Sequence, residues 1–143
     1  MEAFLIYAKI SAVLTVLYAG LNVHQLTSSY QYLITKADEF RKALKEEEGN
    51  GKVIRLNIVF YVVVPLVYLL LLHFSMVPVI YLALLAIKFS MTASMDVWVE
   101  KRILSGQNYT VVQHYLSRAD NFLNIVAAVA VVRILLTGGV VRV

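Results

Sequence analysis

Lys88, Thr92, Asp96 and Glu100, side chains suited to ionic or proton chemistry, recur every four residues along an otherwise apolar stretch. On a helix each residue turns about 100°, so steps of four drift slowly and trace a slanting polar stripe. An ammonium, a hydroxyl and two carboxylates in that order can hold an anion, exchange protons or hydrogen-bond to a neighbouring helix. Other stretches carry polar positions that match: Ser11, Thr15, Tyr18, Asn22 and Gln25; Asn57, Tyr61 and Tyr68; and His114, Ser117, Arg118, Asn121 and Asn124. The candidate ligand-binding set is Lys88, Thr92, Asp96, Glu100, His114, Arg118, Asn121, Asn124, Asn22 and Asn57. Lys88 and Arg118 would offer charge, Asp96, Glu100 and His114 would orient a ligand or move protons, and the asparagines would hydrogen-bond.

Several chemistries lack their residues. There is no cysteine, which removes disulfides, thiolate metal sites and cysteine nucleophiles together. No HExxH or ExxH spacing points to a metalloprotease or a di-iron carboxylate bundle, and Ser90, Ser94 and Ser105 have no nucleophile-elbow context. Asp96, Glu100, His24 and His114 form a conceivable oxygen and imidazole set, and His24 with His114 a conceivable haem pair, but their spacing singles out no metal. No catalytic residue or cofactor is assigned.

The elements that must position these side chains follow from composition. Of 143 residues, 60% are hydrophobic and 15% charged, against roughly 45–50% and about 25% in soluble domains. The expectation is a single all-α membrane domain over residues 1–143, a four-helix bundle with spans at about 3–23, 53–73, 77–99 and 120–138. The charged connections cover about 25–52 and 100–119. No Lys or Arg precedes Lys9 and the first apolar run is long for a signal core, so the first span is expected to be retained. Lys36, Arg41, Lys42, Lys45 and Lys52 crowd the first connection and Lys101, Arg102 and Arg118 the third, while Arg142 stands alone at the other side. This bias places both connections in the cytoplasm and both termini outside, as a multi-pass protein of the cell's inner membrane. The first connection reads as a helix, with Tyr32, Ile34, Ala37, Phe40 and Leu44 near helical spacing, that extends the first span into the cytoplasm. Pro78 suits a helix start, and Pro65, inside the second span, predicts a kink.

Depth sorts the stripe. Asp96 and Glu100 fall near the cytoplasmic end, with Asn22, Asn57, His114, Arg118, Asn121 and Asn124, so the inner half of the bundle is expected to be polar. Lys88 lies roughly 16 Å inside, by helix rise, with Asp96 about 12 Å nearer the cytoplasm and no acid expected at its own depth. Such a lysine calls for water and hydroxyls, an anionic ligand, or a partner subunit.

Arg55-Leu56-Asn57, then Pro65, and Tyr109-Thr110-Val111-Val112-Gln113 where a fourth span begins, resemble the MAPEG family of glutathione-dependent membrane enzymes. The length, four spans, outside termini and proline-containing second turn are also similar. Ile58, Val59 and Phe60 stand where that family carries an acid, and Lys88 is the nearest substitute for its third-span arginine. The resemblance would imply an enzyme. The residues themselves point first to a protein that binds an anionic or amphipathic small molecule or lipid in a polar cavity on the cytoplasmic side. The alternatives are an accessory subunit of a larger membrane complex and an oligomeric anion transporter or channel. Expected partners are the lipid bilayer, an anionic or lipid-like ligand, and a second copy or other membrane chain. The basic residues form no stripe with interleaved aromatics, so nucleic acid is not expected.

Overall fold

A computed structural model describes residues 2–46 and 59–137. Among them lie five α-helices and no strand: α1 (Glu2–Thr27), α2 (Tyr30–Glu46), α3 (Val64–Phe74), α4 (Val79–Leu104) and α5 (Val111–Leu136). Three are long and apolar enough to cross a membrane, namely Leu5–Thr27 of α1, α4 and α5, while the apolar run Val59–Phe74 is shorter. Residues 47–58, with Arg55, Asn57 and Ile58, lie outside the described residues, and the parts of the MAPEG resemblance and of the second span that rest on them stay outside too.

The bundle has its polar residues inside and its apolar residues outside. On α1, Ser11 and Thr15 are fully buried and Asn22 nearly so, whereas Leu5, Ile6, Val13, Val16, Leu17 and Leu21 are exposed. On α5 the buried face is Gln113, His114, Asn121, Asn124, Ala128 and Val131. Such a distribution suits a lipid surround, where small and polar residues make the helix contacts. α1 is the central helix, packing most extensively on α5 and next on α3; α3 also contacts α4, and α4 and α5 meet over a shorter length.

An apolar core sits at the end where α3 turns into α4. Leu72, Val77, Leu85 and Val131 are buried there, with Tyr68, Leu69, Leu82 and Phe89 packed around them. The turn is a Schellman motif: the Val77 N–H donates to Leu72 O at 3.1 Å and the Met76 N–H to His73 O at 3.0 Å. Leu72 and Val77, the two ends of the six-residue loop, supply its apolar contact. Met76 occupies the left-handed position at φ 58°, where glycine is the usual residue. Pro78 precedes the first turn of α4 as expected.

Pro65 does deform its helix. It has no N–H for the carbonyl of Tyr61, and the chain ahead of it widens into a π turn over Val59–Val63. Tyr61 lies within that turn.

The polar end departs from the expected outline in two places. α2 is a separate helix: Ser28 Oγ donates back to His24 O at 2.8 Å, and Ser29 Oγ accepts from the Tyr32 N–H at 3.1 Å, opening a new helix. α2 then lies against the far end of α4, where Ala37 is buried. Arg41 donates from Nε to Ile103 O and from Nη2 to Gln107 O, both at 3.1 Å, and Tyr30 Oη donates to Tyr109 O at 2.8 Å. Tyr32, expected on the packed face, is exposed. The second departure is α5, which begins at Val111, well before residue 120, so the connection from α4 contracts to Ser105–Thr110. Thr110 and Gln113 form a reciprocal capping box that fixes this start. Gly106 at φ 83° ends α4 with a second Schellman motif, its own N–H on Ile103 O and the Gln107 N–H on Arg102 O.

Two outcomes test this outline. Met76→Gly should raise Tm in detergent by relieving roughly 1 kcal/mol of left-handed strain, because Met76 is 71% exposed and loses little contact; Gly106→Ala should lower it. Arg41→Lys keeps the charge but cannot serve both carbonyls in the same geometry, and should speed amide hydrogen exchange across α2 while leaving α1 protected.

Candidate functional site

Lys88 is not alone. Its Nζ lies 2.6 Å from Asp120 Oδ1 on α5 and 2.7 Å from Thr92 Oγ1 one turn along α4. Thr92 Oγ1 in turn donates to Asp120 Oδ2 at 3.0 Å, which closes a three-membered ring of bonds. The expectation of no acid at the depth of Lys88 is therefore overturned. It failed because the fourth span was drawn from residue 120, which sets Asp120 at its very end, just ahead of the apolar residues from Phe122. Since α5 starts at Val111, Asp120 stands inside the helix, and the long lysine stem reaches across to it.

The network continues into α1. Asn124 Nδ2 donates to Asp120 Oδ2 at 3.2 Å and to Asn22 Oδ1 at 2.8 Å, and Asn22 Nδ2 donates to Tyr18 O at 2.7 Å. Lys88, Thr92, Asn124 and Asn22, all singled out from sequence, thus converge on one residue that was not. A second chain of bonds ties α1 to α3: Thr15 Oγ1 donates to Ser11 O and receives the Tyr68 hydroxyl, both at 2.6 Å. Ser11 Oγ lies 3.3 Å from Ser75 Oγ, itself a donor to Leu71 O at 2.7 Å. The gap beside Lys88, bounded by Tyr18, Tyr68, Phe89 and Asn124, has a volume of about 10 Å³. That is room for about one water, and too little for an anionic ligand.

Two larger spaces meet at Tyr61 and Asp96. One is a cavity of about 460 Å³, walled by Leu33, Lys36 and Ala37 of α2, Asp96 and Glu100 of α4, and Tyr109 with Ser117. The other is an apolar groove of about 550 Å³ between α1, α3 and α4, which includes Leu17, Val64, Pro65, Phe89 and Ala93. Tyr61 and Asp96 belong to both linings, so the two spaces abut at these side chains. The π turn caused by Pro65 carries Tyr61 to this junction. At the cavity wall, the Glu39 carboxylate 2.7 Å from Lys36 holds that ammonium above the ordinary lysine range. Burial pushes the Tyr109 phenol above its ordinary value, so it stays a neutral hydrogen-bonding group.

The remaining candidates divide. His114 is buried beside the Tyr30 ring, at 5.6 Å between centroids, and its Nδ1 has no partner among the described residues. His24 is exposed and near Tyr32 instead. Asn121 is buried with a long 3.5 Å bond to Ser117, and Arg118 is exposed, apart from the network. Asn57 lies outside the described residues. Among the described residues no group of three or more His, Asp or Glu side chains is arranged to hold a metal ion. Asp120, Lys36 and Tyr109 were not among the candidate site residues. For Asp120 a signal existed in its four-residue spacing to Asn124, once Thr110 and Gln113 are read as a helix cap.

No protein-family model, curated protein or solved structure matches the chain.

The ion pair is testable by unequal mutation. Lys88→Met leaves the Asp120 carboxylate uncompensated in a low-dielectric setting and should cost about 3–5 kcal/mol. The double variant Lys88→Met with Asp120→Asn keeps an acceptor for Thr92 and Asn124, and should recover most of that loss in thermal unfolding. A double variant no more stable than the single one would contradict the pairing.

Proposed function

We propose that this protein is a multi-pass membrane protein that binds an amphipathic small molecule or lipid, with the polar head in the α2-side cavity and the apolar part in the adjoining groove. The observation that carries this reading is the junction at Tyr61 and Asp96, where a cavity bearing charged side chains abuts an apolar groove. Both volumes fall within the roughly 300–1,000 Å³ typical of ligand sites. The anionic form of the expectation loses its main support, since Lys88 is neutralised by Asp120 and has no space beside it. The same pairing counts against an anion pathway along Lys88.

The reading includes four spans, with the run through Val59–Phe74 as the second, and the α2 end in the cytoplasm. The basic residues of α2 and of the α4 end, Lys36, Arg41, Lys42, Lys101 and Arg102, support that orientation. Trp98, with the Arg102 guanidinium 5.4 Å from its ring centroid, would mark the inner interface. A homo-oligomer belongs to the same reading as an arrangement that would cover exposed helix faces.

Native mass spectrometry of the protein extracted in lipid nanodiscs tests it. The wild type should retain an amphipathic species, and Ala37→Phe, which projects a ring from α2 into the cavity, should reduce its occupancy at least about tenfold. Equal retention by Ala37→Phe at unchanged Tm would count against the cavity as the site.

A further inference from the structure

The charges around the junction discriminate between head groups. Among the described residues, two lysines near it already have an anion: Lys88 lies on Asp120 at 2.6 Å and Lys36 on Glu39 at 2.7 Å. Asp96 differs, because among the described residues its carboxylate makes no hydrogen bond or ion pair, although it is only partly exposed and lines both spaces. Glu100, one turn further along α4, adds a second carboxylate to the cavity wall. A carboxylate held away from bulk water is stabilised by a nearby positive charge and by donated hydrogen bonds. An anionic head would meet repulsion from Asp96.

The groove specifies the other half of the molecule. Its walls are exposed leucines and valines such as Leu17, Leu21, Val64 and Val67, so it opens sideways, where lipid chains would lie against it. On its α4 side it is lined by Phe89, Thr92, Ala93 and Asp96, which sets the carboxylate beside the apolar wall. The Tyr18 and Tyr68 rings flank this course, and the Tyr68 hydroxyl is already engaged by Thr15. Among the described residues that line the groove, Asp96 alone carries a charge.

Resting on the amphipath reading above, we propose that the ligand is a single-chain amine: its alkyl chain lies in the groove between α1, α3 and α4, and its ammonium pairs with Asp96 at the mouth of the polar cavity. The chain enters laterally from the bilayer, and the head projects past Tyr61 toward Glu100 and Tyr109. Charge complementarity at Asp96 selects the amine, and the apolar walls select for a chain without selecting its functional group.

The test uses the full chain in phosphatidylcholine nanodiscs, offered hexadecylamine, hexadecanol or hexadecanoate, with bound ligand counted by native mass spectrometry. The amine should bind about tenfold tighter than the alcohol, and the carboxylate weakest of the three, as expected when one charge-assisted bond is gained or turned repulsive. Asp96→Asn should bring the amine down to the level of the alcohol, whose own binding stays unchanged. Asp96→Glu should keep the preference, which guards against misreading a folding defect in the first variant. Ala93→Phe, which adds a ring to the α4 wall of the groove, should weaken all three. Carboxylate binding equal to or tighter than the amine, or an amine preference that survives Asp96→Asn, overturns the amine assignment. If the three bind alike and all are lost in Ala93→Phe, the amphipath site stands and the amine inference alone fails. If none binds the wild type, both fall together.

Discussion

The Lys88–Asp120 ion pair is the constraint around which the bundle is arranged. α4 and α5 run side by side over only a short length, and the pair, with Thr92 closing the ring, spans the space between them. In a low-dielectric interior neither charge is tolerable without the other, so the relative position of the two helices is held by electrostatics more than by close packing. Asn124 then passes the constraint to α1 through Asn22. One carboxylate thus ties together three helices and aligns their polar faces at one depth.

This arrangement leaves the two ends of the molecule different. At the α3–α4 turn, Leu72, Val77, Leu85 and Val131 pack without room for a ligand, and the serine and threonine bonds between α1 and α3 reinforce that end. At the other end α2 lies against α4, fastened through Arg41 and Tyr30 to backbone carbonyls near the α4–α5 connection. This helix walls the cavity on one side through Leu33, Lys36 and Ala37. Pro65 contributes from the third side, since its missing N–H forces the π turn that brings Tyr61 to the junction with the groove. The pairing of Lys88 also changes the chemistry of the site: among the described residues, Asp96 is the charged side chain that both open spaces share.

Much of the outline was legible from residue types alone. The excess of apolar residues, the absence of cysteine and the slanting row from Lys88 to Glu100 announced a helical bundle with polar faces turned inward. The row on α1, from Ser11 through Thr15 and Asn22, is buried as its spacing implied, and Pro65 and Pro78 disturb or open helices where they were expected to. Asp120 was hidden because hydropathy finds the lipid-facing part of a helix, whereas a helix begins at its cap, which here is Thr110 and Gln113. The break at Ser28 and Ser29 was hidden for a related reason. Serine is compatible with a helix interior, and only the hydroxyl bonds actually formed decide that these two end one helix and begin another.

The sequence by itself determined which side chains must avoid lipid, because transfer free energies depend on residue type and helical periodicity then groups those residues on faces. It did not determine which of them meet. Asp96 shares α4 with Lys88 and lies about two turns away, so whether the lysine meets a carboxylate depends on the shift of α5 relative to α4, and that shift is settled by caps, turns and the packing of α1 against its neighbours. Only the tertiary structure therefore decided that the lysine is neutralised, that Asp96 is left facing the cavity, and that Tyr61 and Asp96 share a boundary between a polar and an apolar space.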